Sequence, residues 1–197
     1  MLTDDIGEMG LTWVGRPMEV VRVLDPVYLD QAQHNFDEYV HRTLAASQAV
    51  GGRFNPPGEF GALYTASDHD TAWEEVAARF RRQGITGLPP RMGFLGILIT
   101  VGRFADLVDP DIAAHWDVSG TVLSASDPTK DERDICWALG RAVRAVGDFL
   151  RSPSARATGA NIPIFPDRDR GDLRMEMQYG DVQEPPGHLV QQTEEPW

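Results

Sequence analysis

The sequence predicts a single compact α+β domain built of short mixed strands and helices. The run Phe94-Leu-Gly-Ile-Leu-Ile-Thr-Val101 has no polar alternation, so it reads as a strand buried on both faces. Two stretches, after Ser67 and from Asp131 to Leu150, repeat apolar residues at helical spacing. Strand-like and helix-like segments follow one another in no strict βαβ order, which separates this chain from doubly wound folds. A length of 197 residues accommodates one full domain with a closed core.

Each element has its own local reason. The stretch 1–17 is acidic and contains glycine, and reads as a loosely held lead-in. Met18-Glu-Val-Val-Arg-Val-Leu24 is β-branched and ends at Asp25-Pro26, as a short strand does. From Tyr28 to Val50, Phe36, Val40 and Leu44 recur at helical spacing, and Gly51-Gly52 stops the helix. Arg53-Phe-Asn-Pro-Pro-Gly58 is a loop, and Ala62-Leu-Tyr-Thr-Ala66 a buried strand. Ser67 occupies an N-cap position, with Asp68 and Asp70 suiting the helix dipole. The helix that follows carries Ala72, Trp73, Val76, Ala77 and Phe80 on one face. In the second long helix Ile135, Leu139, Ala142, Val146 and Phe149 are in register, and Ser152-Pro-Ser-Ala155 then turns the chain. Asn161-Ile-Pro-Ile-Phe165 reads as a strand, Met175, Met177 and Tyr179 as an edge strand, and 183–197 as an irregular tail.

Charge and inventory exclude several functions. With 18 Lys and Arg against 30 Asp and Glu, the net charge is −12, the wrong sign for a protein whose partner is a nucleic-acid backbone. A lone cysteine, Cys136, forms no internal disulfide, and the five histidines show no metal-ligand spacing, so no metal is expected. No run reaches membrane-spanning length and the first residues lack signal-peptide regions, so the chain is expected in the cytoplasm. Phosphate-loop, dinucleotide-binding and nucleophile-elbow patterns are all missing.

What remains is a set of polar residues at element boundaries, where sites are usually built. Glycine and proline around Arg53 can hold its planar fork in one direction, a geometry suited to a diphosphate; the plain alternative is an ion pair on the surface. Tyr64 sits in an apolar strand, as a core residue or as a ligand's stacking face. Glu74 and Glu75 flank the apolar stripe of their helix, and periodicity does not choose between them. Ser154 in its turn has no histidine base beside it in sequence, and a turn or cap is the ordinary role of such a serine.

Their order along the chain adds a resemblance. Gly51-Gly-Arg-Phe-Asn-Pro-Pro-Gly58, Ala62-Leu-Tyr-Thr-Ala-Ser67 and Thr71-Ala-Trp-Glu-Glu-Val76, followed by Pro153-Ser-Ala155 and Asn161-Ile-Pro-Ile-Phe-Pro166, are similar to the RES-domain family. That family supplies the toxins of RES–Xre toxin–antitoxin modules. The match is collinear from about Val21 to Pro166, with Phe54 where the family commonly has tryptophan and a longer stretch between Arg22 and Arg53. The resemblance implies a fold similar to ADP-ribosyltransferase toxins across a catalytic domain of 18–182. It implies an enzyme that breaks the nicotinamide–ribose bond of NAD⁺ by hydrolysis or phosphorolysis, with inorganic phosphate as co-substrate in the second case and no cofactor. Carried over residue by residue, it implies catalytic roles for Arg53, Glu75 and Ser154, and substrate-binding roles for Arg22 and Tyr64. It also implies an Xre-type helix-turn-helix antitoxin as partner, within a homo- or hetero-oligomer. Two other readings stay open: transfer of ADP-ribose to a macromolecule, and a silent interaction domain in which Arg53 and Glu75 pair with each other.

Overall fold

The apolar runs of the sequence pair into one sheet. The computed structural model describes residues 10–85, 87–166 and 172–191. Its strands are β1 (Thr12–Trp13), β2 (Met18–Leu24), β3 (Leu63–Ala66), β4 (Met92–Val101), β5 (Arg103–Asp106), β6 (Phe149–Pro153), β7 (Ala160–Ile164) and β8 (Arg174–Gln183). They lie in the order β1-β5-β6-β7-β3-β2-β4-β8. Only β5 and β6 pair in parallel; the other neighbours are antiparallel. The helices are α1 (Pro26–His34), α2 (Phe36–Val50), α3 (His69–Arg82), α4 (Pro110–His115), α5 (Gly120–Leu123), α6 (Lys130–Val146) and α7 (Gly187–Gln191). This is the α+β architecture that the order of segments predicts.

Side chains alternate across a strand, so each strand divides its residues between two faces. On one face Val20, Leu24, Leu63, Leu95, Ile97, Ile99, Ile162 and Ile164 pack with Leu29 and Ala32 of α1 and Tyr39, Val40 and Leu44 of α2. On the other face Val21, Ala66 and Phe94 pack under Trp73 and Ala77 of α3. Farther along that face, Leu150 meets Cys136, Leu139 and Val143 of α6, with Phe54, Phe60 and Phe165 filling between. Strand β4 supplies Phe94 to one layer and Leu95, Ile97 and Ile99 to the other, all fully buried, which explains its unbroken apolar run. Among the described residues, no helix is long and apolar enough to cross a membrane.

Several boundaries differ from the expectation, each for a local reason. Within the stretch 1–17, residues 1–9 lie outside the described residues, but Leu11 is buried and Thr12–Trp13 pair with β5. The indole of Trp116 also donates to the Gly10 carbonyl at 3.2 Å. The helix expected over 28–50 is two, because Asn35 takes an extended backbone and its side chain caps α2 through the Glu38 N–H. The cap of α3 is Asp68, not Ser67. Helix α6 ends at Val146, so Phe149 and Leu150 belong to β6; Asp148 has exchanged helical bonding for Arg103, whose N–H its carboxylate accepts at 2.7 Å. Ser152 and Pro153 extend that same strand, leaving Ser154 just beyond its end. In the expected tail, Gly187–Gln191 form a helix that buries Leu189 against α3, while 192–197, Trp197 included, lie outside the described residues.

Helix α6 runs so close to the loop after α2 that a Cβ at Gly140 would lie 1.7 Å from the Phe54 carbonyl oxygen. Alanine normally stabilises a helix interior by about 1 kcal/mol over glycine. Here the sign reverses. Gly140→Ala is expected to cost about 2 kcal/mol through overpacking, lowering Tm by roughly 4–8 °C. A Tm equal to or above wild type would contradict the close approach.

Candidate functional site

The loop after α2 is shaped by what surrounds it. Gly51 closes the helix with φ 74°, and Gly52 faces Tyr64 so closely that a Cβ would meet its hydroxyl at 2.5 Å. That hydroxyl accepts the Phe54 N–H at 2.8 Å and donates to the Asn55 side-chain oxygen at 2.8 Å. Asn55 is fully buried, and its amide donates to the carbonyls of Ser47 at 3.0 Å and Phe60 at 2.9 Å. From the other side, the Trp137 indole of α6 donates to the Gly52 carbonyl at 2.9 Å. Burial pushes the Tyr64 phenol above its ordinary range against the hydrogen bonds from Phe54 and Asn55, so it stays a neutral donor. The Tyr64 hydroxyl is thus committed to the loop that carries Arg53.

Arg53 extends from this loop toward α5 and α6. Its Nη2 donates to the Val122 carbonyl at 2.8 Å, while its buried Nε has no hydrogen-bond partner among the described residues. The Cys136 thiol lies beside the guanidinium; burial raises its pKa, and Arg53 opposes that rise.

Glu75 is the centre of a second constellation. Ser154 Oγ donates to its Oε1 at 2.7 Å, and Asn161 Nδ2 donates to the same oxygen at 2.8 Å. Ser154 in turn accepts the backbone N–H groups of Arg156 at 3.1 Å and Ala157 at 3.2 Å. Three elements distant in sequence therefore converge on one carboxylate oxygen, while Oε2 has no partner among the described residues. The neighbouring glutamate turns away: Glu74 lies 3.9 Å from Arg81 and 3.4 Å from His188 of α7. Of the two glutamates that helical periodicity leaves open, Glu75 is the one that reaches β7.

Arg22 stands apart. Strand alternation puts it on the face of Val20 and Leu24, where its Nε donates to the Tyr39 hydroxyl at 2.7 Å. Its Nη1 donates to the Tyr64 carbonyl at 2.6 Å, so it braces Tyr64 from behind and does not face Glu75. The structure thus brings Glu75 to Ser154 and Tyr64 to Arg53, leaves Arg22 across the sheet, and forms no Arg53–Glu75 pair among the described residues. Asn161 is a polar residue in an apolar strand, a sequence signal that marks it. Trp137 carries no such signal, since it acts through a backbone carbonyl of the loop, and Asn55 is visible only as part of the Gly51–Gly58 motif. Among the described residues, no group of three His, Cys, Asp or Glu side chains is placed to hold a metal ion.

The frame of the Glu75 site is the start of α3. Asp68 Oδ1 accepts the Thr71 N–H at 2.7 Å, and Oδ2 accepts the hydroxyls of Ser67 at 2.6 Å and Thr71 at 2.9 Å. Ser67 Oγ accepts the Ala160 N–H at 2.9 Å, which ties the helix to the first residue of β7. A Cβ at Gly159 would fall 2.1 Å from the Thr71 hydroxyl and 2.3 Å from the Asp68 carboxylate. Small residues and a capping acid thereby fix where Glu75 meets Asn161.

Residues 20–186 match a family model described as RES domain. The fold is similar to that in the crystal structure of the M. tuberculosis MbcT–MbcA toxin–antitoxin complex, with a TM-score of 0.65 and 18% identity, covering 90% of this chain and 88% of that one. No curated protein matches the chain.

Burial works to raise the Asp68 carboxyl, but the hydrogen bonds from Ser67 and Thr71, with the nearby His69, together hold it below its ordinary value. A lowered folded-state pKa contributes stability that is present above the unfolded value of about 4 and lost as pH falls through the folded value. Asp68→Ala should therefore cost about 1 kcal/mol at pH 7, the gap to wild type closing in acid below about pH 4. Urea denaturation across pH checks this, and a gap that persists unchanged to pH 2 would contradict it.

Proposed function

The chain belongs to the RES-domain family, and we propose that it is a toxin-type enzyme that destroys NAD⁺ by breaking the nicotinamide–ribose bond. The observation that carries this reading is the convergence of Ser154 and Asn161 on one oxygen of Glu75. Two neutral donors orient a carboxylate without neutralising it, and its second oxygen stays available to a ligand. Loss of nicotinamide builds positive charge on the ribose, and a fixed carboxylate beside that ring stabilises the developing oxocarbenium. Nicotinamide leaves with the bonding electron pair and becomes neutral. Water, releasing a proton to solvent, or an anionic oxygen of inorganic phosphate then bonds to the anomeric carbon and yields ADP-ribose or its phosphorylated form.

Arg53 supplies the positive charge for the diphosphate, held in direction by Tyr64 and Trp137. Ser154 sets the orientation of Glu75 and, bonded to it, shares in binding the ribose. Control by a separate antitoxin, of helix-turn-helix type, completes the proposal. It is supported by the toxin–antitoxin complex whose fold this chain resembles and by a net charge of −12 that suits a more basic partner. The rival reading of a silent domain depends on Arg53 and Glu75 satisfying each other, and each has different partners here.

Purified protein is expected to convert NAD⁺ to nicotinamide plus ADP-ribose, or plus its phosphorylated form when phosphate is supplied, as read by mass spectrometry. Glu75→Gln should lower turnover about 10²–10³-fold with the fold intact. Arg53→Ala should act mainly by raising KM. Full activity in both variants would overturn the assignment, and NAD⁺ surviving a folded wild-type protein would overturn the reaction.

A further inference from the structure

One surface segment occupies two arginines, Arg53 of the loop after α2 and Arg156 beside Ser154. Arg53 Nη2 donates to the carbonyl of Val122, in α5, at 2.8 Å. Arg156, whose own N–H is bonded to Ser154 Oγ, donates through Nη2 to the carbonyl of Ser126. The segment 119–128 that offers these carbonyls is mostly exposed, with Leu123 as its fully buried anchor. Its helix is a single turn capped by Ser119.

The bonding of Arg53 is half complete. A planar acceptor pair takes a guanidinium side-on through Nε and Nη2, as Glu59 does with Arg141 at 2.7 and 2.6 Å. On Arg53 the same edge carries a neutral carbonyl at Nη2 and, among the described residues, no hydrogen-bond acceptor at the buried Nε, with the Cys136 thiol beside the guanidinium. A buried N–H without an acceptor is costly, and charged oxygens bind a guanidinium about twice as strongly as a carbonyl does. Both contacts are the kind that a phosphate-bearing ligand displaces.

We infer that Arg156 is a second anion-binding residue of the site, and that segment 119–128 is a cover whose Val122 and Ser126 carbonyls hold the two guanidiniums until a phosphate group replaces them. This rests on the reading of Arg53 as the diphosphate-holding residue and adds a residue and a moving part to it. The ligand chemistry is a phosphate oxyanion, supplied either by the diphosphate of a nucleotide or by free phosphate.

Hydrogen–deuterium exchange on the full chain tests this without turnover. ADP-ribose, inorganic pyrophosphate and orthophosphate are the three probes, read at the amides of 119–128. Faster exchange, by about tenfold, is expected with at least one probe, the loss of two tethering bonds being worth at least that factor. A response to ADP-ribose and pyrophosphate but not orthophosphate assigns the nucleotide diphosphate; a response to orthophosphate alone assigns free phosphate. Arg156→Met should speed exchange of the segment before any ligand is added and weaken the responding probe about tenfold, with Arg156→Lys between it and wild type. Exchange indifferent to all three probes in a protein that still consumes NAD⁺ would overturn the cover and leave the reaction standing. A segment that responds in a protein that leaves NAD⁺ intact would keep the anion site and remove the reaction.

Discussion

One carboxylate oxygen organises this molecule. Glu75 Oε1 is shared by Ser154, which follows β6, and Asn161, in β7, and the glutamate itself rides on α3. Helix, strand end and strand are thereby locked in one relation by two hydrogen bonds to a charged acceptor, each stronger than a neutral bond. The surrounding structure serves that relation. Asp68 and Ser67 bind the first turn of α3 to β7, and Gly159 leaves the space in which they do so. The Arg53 loop is clamped independently, between the Tyr64 hydroxyl and the Trp137 indole.

Charge is arranged locally against the background of the whole. A chain of net charge −12 repels anions at long range, and screening leaves the outcome to contacts within about 8–10 Å. Within that range, among the described residues, the site's guanidiniums donate their hydrogen bonds to neutral groups, while Glu132 acts on Arg53 from farther off. Arg53 meets a carbonyl and a thiol, and Arg156 meets a carbonyl. Arg141 and Arg151 show the contrast, each closed on a carboxylate, Glu59 and Asp106, and so unavailable to a ligand.

The strands and long helices were legible because each rests on a local pattern. The unbroken apolar run of β4 and the stripe Ala72-Trp73-Ala77 of α3 are burial written directly into sequence. Breaks were harder where a polar residue interrupts a helical period without disturbing it. Asn35 splits one expected helix, and Asp148 converts the end of another into strand, through capping and pairing bonds that spacing does not reveal. The site divides in the same way. Motif order singled out Arg53, Tyr64, Glu75 and Ser154, but the rotation that separates Glu75 from Glu74, and the sheet face that takes Arg22 away, exist only once the helices are packed. Arg156 gave no signal, since its contact to Ser126 joins two turns that are 30 residues apart.

On the proposed reaction, the carboxylate shared by Ser154 and Asn161 is the one beside the scissile bond. A crystal structure of the Glu75→Gln protein with NAD⁺ bound decides this. The nicotinamide ribose is expected against residue 75, with the diphosphate on Arg53. NAD⁺ ordered away from both Glu75 and Arg53 would contradict it.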